Sequence, residues 1–285
     1  MKIGTWNVNG IRARLPQVQD WIAQERPDIV CLQEIKASPD QIPTALCEME
    51  GYWCYWHGSS GYSGVGLNVS CDLVPERPRF AHPAFDYENR IVTVDLPGMT
   101  VASVYVPNGN KDYPAKMQFL AALEQFVAAR RADPNALIIC GDLNVARTDM
   151  DVHPKERKPR AIGQLPEERA QLERIIGHGL VDVGRAREPD NDEMFTWWAP
   201  WRNMRQRNIG WRLDYVLASR ALEPDNDQMF TWWAPWRNMR QRNIGWRLDY
   251  VLAGRSLFER VRRCDIQKDV GTSDHAPVVA EFTAV

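Results

Sequence analysis

The chain has 285 residues, of which 44% are hydrophobic and 25% charged, the composition of an ordinary globular protein able to bury one large core. A formal net charge of −2 excludes a general coat of basic residues, so any contact with nucleic acid must come from a local patch and must weaken as salt rises. No run of about 18 apolar residues is present to cross a membrane, and no charged-then-apolar leader precedes the first strand, so the sequence reads as a soluble, cytoplasmic protein.

From the N-terminus, short apolar runs bounded by turn residues predict strands over residues 3–8, 29–32, 65–69, 91–96, 101–106 and 137–140, with a last one over 278–282. Helices are expected over 16–25, over 114–131, where Met117, Leu120, Leu123 and Val127 make an apolar stripe, and over 166–176, which opens with Glu167 and Glu168. The stretch Gly61-Tyr62-Ser63-Gly64-Val65-Gly66 reads as a hairpin turn or a close approach of backbone. Many strands with few helices between them predict two packed sheets with helices outside, an α/β sandwich, in a single domain over 1–285.

Residues 188–222 and 223–257 are the same 35 residues twice, differing at Glu193 against Gln228, Ser219 against Gly254 and Ala221 against Ser256. A solenoid needs about three units to bury a continuous core, so two copies read as a tandem duplication inside one domain. The six cysteines (Cys31, Cys47, Cys54, Cys71, Cys140, Cys264) form no CxxC pair and no cluster with histidine, which disfavours zinc and suits reduced thiols.

Four motifs end apolar strands, or begin one, with polar side chains. Asn7 closes the strand of Thr5-Trp6-Asn7, Glu34 follows Cys31-Leu32-Gln33, Asp142 and Asn144 follow Ile139-Cys140-Gly141, and Asp274-His275 precede the last strand. In a sandwich such residues gather at one rim. Oxygen ligands from Glu34, Asn7 and Asp274 suit a hard cation, Mg²⁺ with Mn²⁺ as the alternative. Such an ion, an imidazole and amide donors stabilise the charge that builds on a phosphodiester under attack, each donor contributing about 3 kcal/mol.

Asn7 in WNVNGIR, Glu34 in LQEIK, the GYSGVG stretch, Tyr105 in VYVPNG, Asp142 and Asn144 in GDLNVA, Trp-Arg-Leu-Asp-Tyr in each repeat copy and Ser273-Asp274-His275 run in family order from one end of the chain to the other. Together they resemble the exonuclease III and abasic-site endonuclease branch of the endonuclease, exonuclease and phosphatase superfamily. The resemblance implies a four-layer, deoxyribonuclease I-like α/β sandwich of two mixed sheets flanked by helices. It also implies a Mg²⁺-dependent DNA repair phosphodiesterase that cuts 5′ to abasic sites, acts as a 3′-to-5′ exonuclease, or does both. The implied partner is double-stranded DNA with abasic or 3′-blocked ends, with no membrane and no obligate protein partner.

By the same resemblance Glu34 and Asn7 hold the metal with Asp274 beside it, Asp142 orients or deprotonates water, Asn144 holds that water, Tyr105 donates to a phosphate oxygen, and Asn108 and Lys111 contact DNA phosphates. His275 would touch the scissile phosphate, oriented by an Asp of the repeat, either Asp214 or Asp249; the expectation leans to Asp249. Trp197, Trp211 and their copies Trp232 and Trp246 would face a flipped-out abasic sugar. The stretch from Asp149 to Leu165 departs from the family pattern, with Gln164 where Phe is usual, while Lys155, Arg157, Lys158 and Arg160 keep a basic run. The alternatives are a phosphodiesterase of the same fold acting on RNA or a small phosphodiester, and a catalytically silent DNA-binding module.

Overall fold

The computed structural model describes residues 1–47, 51–131, 133, 135–219 and 260–283. Within them lie strands β1 (Lys2–Asn7), β2 (Ile29–Gln33), β3 (Tyr52–Ser59), β4 (Tyr62–Ser70), β5 (Arg79–Ala81), β6 (Ile91–Leu96), β7 (Met99–Tyr105), β8 (Ala136–Asp142), β9 (Leu180–Asp182), β10 (Asp214–Ser219), β11 (Val261–Ile266) and β12 (Val278–Phe282). The helices are α1 (Ile11–Glu25), α2 (Thr44–Cys47), α3 (Tyr113–Ala129), α4 (Pro166–Gly177) and α5 (Val183–Arg187).

The strands form two six-stranded sheets, ordered β11-β12-β1-β2-β4-β3 and β5-β6-β7-β8-β10-β9. Both are mixed, as expected: β1 runs parallel to β2 and antiparallel to β12, and β8 runs parallel to β7 and antiparallel to β10. Alternating side chains of the two sheets, among them Ile3, Cys31, Leu67, Val101, Ile138, Val216 and Val278, meet in one buried cluster. The outer faces are covered by helices. Trp21 and Ile22 of α1 pack on Trp6 and Leu32, and Phe119, Leu123 and Phe126 of α3 with Leu172 and Ile175 of α4 pack on Val104, Ile139 and Leu217. Four layers result.

Two helices differ from expectation in instructive ways. The first begins at Ile11, not residue 16, because Gly10 N and Ile11 N donate to the carbonyls of Glu34 (2.7 Å) and Ile35 (3.0 Å), which turns the chain directly out of β1. Pro16 then sits inside α1 on its exposed side, where the carbonyl left without a partner can meet water. On α3 the buried stripe is Lys116, Phe119, Leu120, Leu123, Phe126 and Val127, with Met117 at its edge. The glycine-rich stretch does form a hairpin, with Ser59 of β3 opposite Tyr62 of β4.

The first repeat copy occupies the sheet. Its β10 pairs with β8 on one side and β9 on the other. Its Arg212 is buried and bonded to Asp151 (2.7 Å) and Asp182 (2.9 Å). Copy one follows β9 and α5 directly along the chain. Trp232, Trp246 and Asp249, in the second copy, lie outside the described residues.

Candidate active site

The register of the sheets brings the motif residues to one rim. Asp142, last in β8, lies opposite Tyr105 of β7 on one side and Asp214 of β10 on the other, while Asn7 ends β1 beside Gln33, the residue before Glu34. Gly141 is required one position earlier: it has φ +142°, and a Cβ there would lie 1.9 Å from the Val104 carbonyl oxygen. A polar bridge below the rim holds the two sheets in relation. Gln33 accepts from Thr5 Oγ1 (3.2 Å) and donates to Ser103 Oγ (3.1 Å) in the opposite sheet.

Asn7 Nδ2 donates to Glu34 Oε1 and to Asp142 Oδ2, each at 2.9 Å. Asn144, in a left-handed conformation (φ 51°), turns its backbone N–H onto Asp142 Oδ1 at 2.9 Å and its amide onto the Val106 carbonyl at 2.9 Å. Asn108 Nδ2 reaches Asn144 Oδ1 at 3.3 Å. His275 Nδ1 lies 2.8 Å from Asp214 Oδ2, and its Nε2 faces Asp142 Oδ2 at 3.7 Å. The side chain behind His275 is therefore that of Asp214, against the lean to Asp249. Backbone bonds accompany it: Trp198 N donates to the Asp274 carbonyl (2.9 Å) and Ala276 N to the Thr196 carbonyl (2.7 Å), stitching copy one to the histidine loop.

Charge follows geometry. Burial and the carboxylates of Asp214 and Glu34 push the Asp142 carboxyl above its usual range, although His275 pulls the other way. Burial opposes charge on His275, but Asp214 and Asp142 outweigh it and hold the imidazole protonated above its usual range. Burial would raise Glu34 too, yet hydrogen bonds from Asn7 and Lys36 keep it ionised below the usual value. Burial and the two carboxylates hold the Tyr105 phenol protonated. Arg90, itself buried, lies 4.6 Å over the Tyr105 ring and fixes its tilt.

Donor atoms of Glu34, Asp142 and His275 lie within 4.8 Å of one another and could hold a metal ion. Asp274, expected beside the metal, accepts from Asn9 Nδ2 (2.8 Å) on one oxygen and from Trp197 Nε1 (3.1 Å) on the other. Trp197 and Trp211, half-buried, meet edge to face with ring centres 5.5 Å apart, and Trp197 lies 6.5 Å from the His275 ring. Lys111 sits farther out, its Nζ 5.4 Å over the ring of exposed Tyr62.

Sequence reasoning passed over Lys116. This fully buried lysine pairs with the equally buried Glu168 and donates to the carbonyls of Asn144 (2.7 Å) and Asn108 (3.3 Å), so it carries both amides of the site on one cation. A lysine inside the apolar stripe of α3 was the signal. The departing loop is held differently from a packed aromatic. Gln164, buried, accepts from Lys158 N (2.9 Å) and donates to the Glu156 carbonyl (3.1 Å), leaving Lys155, Arg157, Lys158 and Arg160 exposed.

Residues 4–230 match the endonuclease/exonuclease/phosphatase family. The chain is 34% identical to the DNA repair nuclease APEX1 of Danio rerio over 77% of its length and 73% of that protein. It is 30% identical to an exodeoxyribonuclease of Bacillus subtilis over 98% of both chains. An AP endonuclease from Archaeoglobus fulgidus superposes over the whole of both chains with a TM-score of 0.75 at 28% identity. The chain belongs to the endonuclease/exonuclease/phosphatase family, in its exonuclease III and abasic-site endonuclease branch, whose chemistry is phosphodiester hydrolysis.

Proposed function

We propose that the chain is a Mg²⁺-dependent DNA repair phosphodiesterase that cuts double-stranded DNA 5′ to abasic sites and trims blocked 3′ ends. The observation that carries this reading is the convergence of Asn7, Glu34, Asp142, Asn144 and the His275–Asp214 pair at one rim, beside an aromatic wall. The Glu34 carboxylate, held ionised by Asn7 and Lys36, fits a hard divalent cation, with an Asp142 oxygen within 4.8 Å of it. When bound there, the cation supplies positive charge against the phosphoryl oxygens.

The remaining work falls to side chains. Asp142 has a raised proton affinity and two hydrogen-bonded oxygens, which suits it to take a proton from the attacking water near neutral pH. Asn144 orients that water. As the water oxygen bonds to phosphorus, the bond from phosphorus to the 3′ oxygen breaks, and that oxygen takes up a proton from solvent to leave as the 3′ hydroxyl. Protonated His275, aimed by Asp214, and the Tyr105 hydroxyl donate to the nonbridging oxygens, where charge accumulates. Trp197 and Trp211 shape the place for a sugar without a base.

The test is turnover of a duplex carrying one abasic site. Cleavage is expected with Mg²⁺ and none with EDTA, and Asp142→Asn should lower kcat by about 10²- to 10⁴-fold. Faster turnover of RNA or a small phosphodiester, or DNA binding without cleavage, would sink the reading.

A further inference from the structure

A continuous line of polar contacts runs from the carboxylate of Glu34 to the aromatic wall. Glu34 Oε2 pairs with Lys36 Nζ at 2.7 Å, and Lys36 Nζ donates to Asn9 Oδ1 at 2.6 Å. Asn9 Nδ2 donates to Asp274 Oδ1 at 2.8 Å, and Trp197 Nε1 donates to Asp274 Oδ2 at 3.1 Å. The acid and the ring are also tied through the backbone, since the Asp274 carbonyl accepts from Trp198 N at 2.9 Å.

We propose that Asp274 is a specificity-positioning residue: it grips the Trp197 indole and so sets the width of the pocket that admits a base-less sugar and excludes a nucleotide with its base. The proposal rests on the abasic-DNA reading. Its physical content is that exclusion needs a wall that cannot move. A half-buried indole touching Trp211 by its edge could rotate to widen the space, and a hydrogen bond from its N–H to an acid that is itself held by Asn9 removes that freedom. Both Asp274 oxygens are engaged in this line of contacts, one by Asn9 and one by the indole, so the residue is placed to act on the wall.

The experiment measures binding in EDTA, by fluorescence anisotropy, to a duplex with a tetrahydrofuran abasic analogue and to the same duplex undamaged. The readout is the ratio of the two Kd values, so a general loss of folded protein affects both arms alike and cancels. Asp274→Ala and Trp197→Phe, which keeps an aromatic side chain and removes the N–H, should each reduce discrimination about 10- to 100-fold, the scale of one lost hydrogen bond to a charged group. The double variant should do no worse than the single ones, since both remove the same bond. Unchanged discrimination in Trp197→Phe, or additive losses in the double variant, overturns the tether while leaving the abasic reading intact. A wild-type ratio of one overturns the abasic reading, and the proposal with it.

Discussion

At the residue scale the catalytic rim depends on groups whose partners are fixed by burial. Asp214 holds His275 through Nδ1, so Asp214→Asn should lower kcat by up to about 10⁴-fold, the loss seen when an aspartate behind a catalytic histidine is neutralised. Asp249→Asn should change kcat by less than about twofold, given that one strand position behind His275 is already filled. Equal losses in the two variants would show that the copies exchange. Lys116 makes a different prediction. Lys116→Met would leave Glu168 charged and buried without its partner, at a cost of about 3–5 kcal/mol in urea unfolding, and Lys116→Met with Glu168→Gln should recover much of it. Local sequence marks Lys116 only by its place in the apolar stripe of α3; its pairing with Glu168 is not legible there, because the two lie 52 positions apart on helices that meet only when the chain packs.

At the scale of elements, β9, β10 and the loop after β8 are locked by Arg212 between Asp151 and Asp182, with Arg185 adding a second bond to Asp151 at 2.8 Å. Burial by itself would raise the Asp151 pKa, but Arg212 and Arg185 together outweigh it and bring it down to about 2. A carboxyl depressed in the folded state stabilises above its unfolded pKa near 4 and loses that contribution as pH falls toward 2. The contribution is on the order of 2–3 kcal/mol. Asp151→Asn should therefore be less stable than wild type at pH 6, with the difference shrinking between pH 4 and pH 2, as read from urea midpoints at each pH. The strands and the acids at their ends could be read from alternating burial and turn residues. The early start of α1 and the hydrogen-bonded replacement at Gln164 could not, because each depends on a carbonyl or amide brought in from a distant segment.

At the scale of the whole molecule, the duplication separates what a segment prefers from where it is placed. Removing residues 223–257 leaves 250 residues with β10 and the rest of the first copy in place, and kcat should stay within about twofold of the full chain. Removing 188–222 instead yields the same chain but for three positions, with Gly254 where Ser219 stood. Ser219 Oγ accepts from Leu137 N at 2.8 Å, so that version should be about 1 kcal/mol less stable, measurable as a lower urea midpoint at equal activity. By itself the amino-acid sequence determined the layered fold and the identity of the rim, since hydrophobic period and turn chemistry are local and the motif residues each end or begin a strand. Only the tertiary structure decided which Asp stands behind His275, that Asp274 faces Trp197, and that Lys116 lies under the two asparagines. Two copies with nearly the same residues have nearly the same local preferences, so local sequence does not separate them and the choice is made only in the folded chain.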